Sequence, residues 1–169
     1  MTAIPQCRRF GFTVIELVVA LAVLIVLLAI GVPTFSELIA STKVTNATNS
    51  ILGHLQYARG EAVKSGGRVA VGPYDTETTW KTDSSWQGGF MVAVVADADI
   101  TIRKVLRRVD GAELKPLSVA KNGNSPRFYF HADGSAGGAG TLTISDPGNP
   151  DRWRNVVVDP VGRARVAAP

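Results

Sequence analysis

Nineteen consecutive residues, Val14 to Val32, read VIELVVALAVLIVLLAIGV and carry a single charge, Glu16. As an α-helix this run would span roughly 28 Å, close to the hydrocarbon thickness of a bilayer. A core helix of a soluble domain is apolar on one face. This run is apolar on every face for about five turns, which favours membrane insertion over burial. Arg8 and Arg9 precede it, and the next basic residue is Lys43. That asymmetry keeps the N-terminal side cytoplasmic and directs the rest of the chain across the membrane.

The other residues suffice for one modest domain. The 46% hydrophobic content of the 169-residue chain is concentrated in the apolar run, so the remainder reads as ordinary soluble sequence. Without Arg8 and Arg9 the side chains number sixteen basic against fourteen acidic, so overall charge says little about a nucleic-acid partner. Cys7 is the single cysteine, and no Cys/His spacing resembles a metal site. No cofactor is implied. The two histidines, His54 and His131, stand without a nucleophile elbow or catalytic spacing, so an enzyme is not expected.

Beyond Pro33, apolar residues recur at Val44, Ala47, Ile51, Leu55, Ala58 and Ala62, in steps of three and four. This is one stripe on a helix, predicted to run from about Phe12 to Lys64 and to stop at Ser65-Gly66-Gly67. Short β-type runs follow: Arg68–Val71, Gly89–Ala96, Thr101–Arg107, Arg127–His131, Thr141–Ser145, Asn155–Asp159 and Val161–Val166. Asp133 to Gly140 (DGSAGGAG) is expected to be a flexible loop. It lacks the Lys-Ser/Thr ending and the following helix of a phosphate-binding loop. Arg103, Lys104, Arg107 and Arg108 fall in one run, where alternation predicts Arg103 and Arg107 on one face and Lys104 and Arg108 on the other.

Gly11-Phe12-Thr13-Val14-Ile15-Glu16 stands before the apolar run, where an ordinary secretory signal would place its cleavage site after it. This order resembles the prepilin peptidase recognition sequence of type IV pilins and type II secretion pseudopilins. The resemblance implies cleavage between Gly11 and Phe12, with methylation of the new Phe12 amine. Glu16 becomes the glutamate that pairs with the N-terminal amine of a neighbouring subunit, and Pro33 the proline that kinks or locally melts the helix. A buried carboxylate costs roughly 2.5–3.5 kcal/mol in a membrane span and so persists with a partner. The alternative for Glu16 is a carboxylate that snorkels to water.

Four further stretches narrow the resemblance. Leu55 to Lys64 (LQYARGEAVK), Trp86-Gln87-Gly88-Gly89-Phe90 and Phe130-His131-Ala132-Asp133-Gly134, with Gly162-Arg163-Ala164-Arg165 at the C-terminus, are similar in order to the FimT/GspH family of minor pilins. Gly60 departs from the serine expected there. The implied fold is α+β and type IV pilin-like. A leader (1–11) is removed, a transmembrane and assembly half-helix (12–33) leads into an amphipathic half (34–65), and that half packs on an antiparallel β-sheet head (66–169). The implied localisation is a single pass through the inner membrane with the head in the periplasm, followed by assembly into a pilus or pseudopilus. The implied partners are other pilin subunits and the prepilin peptidase.

Gly162-Arg163-Ala164-Arg165 matches the Gly-Arg-x-Arg motif associated with DNA binding in FimT-type pilins. In extended chain Arg163 and Arg165 would project together about 7 Å apart, suited to neighbouring phosphates of double-stranded DNA. Gly162 would allow a turn or close approach. Arg152 and Arg154, flanking Trp153, would add charge and a stacking face, and Lys121 and Arg127 could extend the patch. Two readings stay open: a DNA-binding minor pilin serving uptake, and a GspH-type pseudopilin of type II secretion whose arginines are a solvated strand edge.

Overall fold

The computed structural model describes residues 12–76, 78–96 and 100–167, with the side chains of residues 32–34 outside the described set. Gly11 and the rest of the expected leader also lie outside it. The chain divides into two compact units, Met1–Ile39 and Ala40–Pro169.

Helix α1 spans Val14–Ser65. Thr13 caps its start: the Thr13 hydroxyl accepts from the Glu16 N–H at 3.3 Å, and the Glu16 carboxylate accepts from the Thr13 N–H at 3.5 Å. This is a reciprocal capping box, which supplies acceptors to donors the helix leaves unpaired. The helix continues through position 33. In its first half every large apolar side chain from Val14 to Ile30 is at least 49% exposed. A helix with satisfied backbone and so uniformly apolar a surface needs lipid or other helices around it.

The second half of α1 buries the stripe read from the sequence: Val44, Ala47, Ile51, Leu55, Ala58 and Ala62 are all 7% exposed or less. Gly66, at φ 66°, ends the helix in the left-handed conformation that glycine adopts without penalty.

A six-stranded antiparallel sheet follows, made of β1 (Arg68–Thr76), β2 (Thr79–Trp80), β3 (Gly89–Val95), β4 (Ile102–Asp110), β6 (Phe128–Phe130) and β7 (Ala136–Gly137). Its order is β4-β3-β1-β6-β7, with β2 beside β1. A second sheet, in the order β10-β9-β8-β5, contains β5 (Ser118–Asn122), β8 (Gly140–Asp146), β9 (Asn149–Val158) and β10 (Ala164–Ala167). The short helix α2 (Gly111–Leu114) starts at Asp110, whose carboxylate accepts from the Ala112 N–H.

Both sheets and the α1 stripe supply one hydrophobic core. Trp86 joins them. It is fully buried, its N–H donates to the Val119 carbonyl of β5, and its indole N–H donates to Pro126 O at 3.1 Å. Its ring lies 5.3 Å from Phe90 and 6.0 Å from Phe128.

Several expectations are corrected. Within Asp133–Gly140, Ala136 and Gly137 pair with Phe130 and Tyr129 as strand β7. On β4, register breaks opposite Val92/Ala93 and Val94/Val95 shift the alternation. Lys104 and Arg107 stand opposite Val94 and Val92 on one side, and Arg108 stands opposite Met91 on the other. Each bulge inserts a residue and reverses the faces beyond it. Arg107 lies 4.1 Å above the Tyr57 ring of α1.

Lys121 is buried in the core, 3% exposed, with its ammonium donating to Ser125 O at 2.7 Å and lying 4.6 Å over Phe128. Burial lowers its pKa below the ordinary lysine value. In the interval between the folded and unfolded values the unfolded chain binds more protons, so stability rises with pH there. We expect the stability of the parent to climb relative to that of Lys121→Met as pH approaches the ordinary lysine range. Chemical denaturation of both proteins across that range checks it, and parallel curves would contradict it.

Candidate nucleic-acid interface

The C-terminal hairpin is built on Asp159. Its carbonyl accepts from the Gly162 N–H at 2.9 Å, its N–H donates to Arg163 O at 3.1 Å, and its carboxylate accepts from the Arg163 N–H at 2.9 Å. Gly162 sits at φ 79°. A Cβ there would overlap the Gly134 carbonyl oxygen and approach Arg59 Nε to 3.1 Å. The turn requires glycine on both grounds. From it β10 runs antiparallel to β9, with Ala164 opposite Val158 and Arg165 opposite Val157. Arg163 and Arg165 are both exposed, while Ala164 and Val166 are half-buried.

The hairpin is tied to α1 by Arg59. Its Nε–H donates to Gly134 O at 2.9 Å, and Nη2 donates to Val161 O at 3.3 Å. The Ala136 N–H donates to Pro160 O at 3.0 Å. The helix end, the Phe130–Gly134 segment and the Gly-Arg-x-Arg segment therefore meet in one place. Between them runs an open groove of about 560 Å³ lined by α1 residues from Gln56 to Lys64 and by Gly162, Arg163 and Ala164. Arg59, Lys64 and Arg163 give it three cations and no carboxylate on its lining.

Arg152 and Arg154 belong elsewhere. Arg154 is opposite Ile144, on the sheet face shared with Leu142 and Val156, whereas Trp153, opposite Ser145, is on the face of Val157 and Arg165. Arg154 and Val157 are three positions apart, about 10 Å along the strand. Arg152 is held by Asp146 at 2.7 Å. The Gly148 N–H first, and then Arg152, hold the Asp146 carboxyl below the usual carboxylate range. Lys121 is buried in the core. Arg127 is half-buried, donating to Lys81 O at 3.2 Å and stacked over Trp80. None of these four joins Arg163 and Arg165. Among the described residues no group of His, Cys, Asp and Glu side chains could hold a metal.

Sequence reasoning missed Arg59 and Lys64 as part of this site. Arg59 stands 102 positions from Val161, and no local spacing signals a contact at that distance.

The model of the family described as Type II transport protein GspH matches residues 47–162, more than half of the chain. The chain belongs to the GspH family. Its fold is similar to that of the Pseudomonas aeruginosa (strain PAO1) type IV minor pilin FimU. The TM-score is 0.63 at 23% identity, over 75% of this chain and 90% of that one. It is also similar to EpsH, the minor pseudopilin of the Type 2 Secretion System of Vibrio cholerae. There the TM-score is 0.54 at 19% identity, over 75% and 97%. At these identities the likeness is one of fold. No curated protein matches the chain significantly. Membership in the GspH family makes this a minor pilin or pseudopilin, a subunit that associates with other pilins. The apolar α1 is the element that would anchor such a subunit in a membrane.

Proposed function

We propose that this GspH-family subunit is a minor pilin of a type IV pilus whose head binds double-stranded DNA without sequence preference, in the service of DNA uptake. The supporting observation is the pair Arg163 and Arg165, both exposed and both next to a turn anchored by Arg59. The anchored backbone fixes where the two side chains start, and their guanidinium groups suit phosphate oxygens. The contacts would go to the backbone and carry no base information. Arg152, committed to Asp146, and Arg154 are left out of this surface.

The reading includes maturation. The prepilin peptidase cleaves between Gly11 and Phe12, and the helix begins two residues later at Val14. Glu16, which caps Thr13 in the single subunit, then takes the N-terminal amine of a neighbour, and Pro33 provides the weak point of the helix during assembly. Before assembly the subunit resides in the inner membrane with its head in the periplasm.

The test follows fluorescence anisotropy of a random-sequence duplex with the full chain in nonionic detergent, across a salt series. Arg163→Ala plus Arg165→Ala is expected to weaken binding and lower the salt slope by about two. The family description favours the second reading, a pseudopilin of type II secretion. Absence of salt-sensitive binding by the parent would decide for that role.

A further inference from the structure

We propose that one sugar-phosphate strand of the DNA lies in the groove between the last turns of α1 and the open edge of β10, with Lys64 as a phosphate contact on the helix wall and Gly60 as the gap that admits the strand. The proposal rests on the DNA-binding reading and adds a second wall to it.

Gln56, Gly60 and Lys64 follow one another at intervals of four, so they line one face of α1 in steps of about 6 Å. Glycine inside a helix lowers its stability relative to alanine. At position 60 packing does not require it, because a Cβ there would meet nothing within 4 Å. What the missing side chain leaves is an unobstructed floor and an approachable backbone.

The facing wall is β10, which pairs with β9 on one side and is the terminal strand of its sheet. There the groove is lined by the small side chain of Ala164 and by Arg163. Cations therefore stand on both walls, Arg59 and Lys64 on the helix and Arg163 on the hairpin. The volume, about 560 Å³, falls in the range of small-ligand sites, enough for a short stretch of backbone. Two cationic walls around an uncharged floor match a polyanionic strand better than a peptide, whose charges vary in sign along its length.

Two variants of the full chain in nonionic detergent test this, assayed against the random duplex with thermal melting in parallel. Gly60→Glu places a carboxylate on the floor of the groove and improves helix propensity. It is expected to melt at or above the parent and to bind about tenfold more weakly at low ionic strength. Lys64→Ala is expected to lower the salt slope by about one. If Arg163→Ala plus Arg165→Ala weakens binding while neither groove variant does, the groove is not the track and the arginines act alone. If Gly60→Glu melts below the parent, the Lys64→Ala slope decides: a reduced slope supports the track and an unchanged one overturns it. If the parent shows no salt-sensitive binding, the DNA reading falls and the groove proposal with it.

Discussion

Gly162→Ala is expected to destabilise the head by about 2–4 kcal/mol and to weaken any DNA binding at the same time. An alanine at φ 79° costs about 1–2 kcal/mol through the clash of its Cβ with its own backbone. The rest comes from outside the residue. The new Cβ would overlap the Gly134 carbonyl oxygen, the same oxygen that accepts from Arg59. Relief requires the hairpin to move away from α1, which stretches both Arg59 hydrogen bonds and displaces Arg163. Urea denaturation checks it: a lower midpoint with an unchanged slope is the expected result. A midpoint within experimental error of the parent would mean that the turn yields freely and that Arg59 does not hold it.

Trp86→Ala is expected to cost about 4 kcal/mol or more. Truncating a buried tryptophan typically costs about 3–5 kcal/mol through lost contacts and the cavity left behind. Here the half-buried Pro126 O also loses its indole donor, which adds to the loss. The position is sensitive because the Trp86 backbone pairs with β5 while its ring fills space between Phe90 and Phe128 of the other sheet. Such a loss is a large part of the stability of a small domain. Trp86→Phe, which keeps much of the ring, should cost about half as much, measured by the same denaturation. Equal costs for the two variants would assign the effect to the hydrogen bond instead.

The helical stripe was legible because six apolar residues at steps of three and four leave few other ways to be buried, and all six are buried. Seven of the strand expectations fall on real strands, although β9 begins at Asn149, six residues earlier than its β-branched residues indicated. Strand β5 went unread: SVAKN is short, and its core-facing Lys121 breaks the pattern by which a half-buried strand is recognised. The faces of β4 were misassigned because bulges do not announce themselves in composition. For the site, Gly162, Arg163 and Arg165 could be named because they are contiguous and match a family motif. Arg152 and Arg154 were grouped with them by proximity in sequence, and pairing register separates them. Arg59 and Lys64 join the site only through the tertiary fold.

Because Arg59 bonds Val161 across 102 positions, that tie forms only when almost the whole chain is present. It spans one of the longest loops in the molecule, and closing a long loop carries an entropic cost. The turn it secures exposes Pro160, Val161 and Arg163, so it should open before the fully buried Trp86 core does. Amide exchange should then report two populations of opening, a shallow one at residues 159–165 and a deep one in β1 and β3. Mild stress would release the arginine-bearing end of the head while leaving the subunit folded.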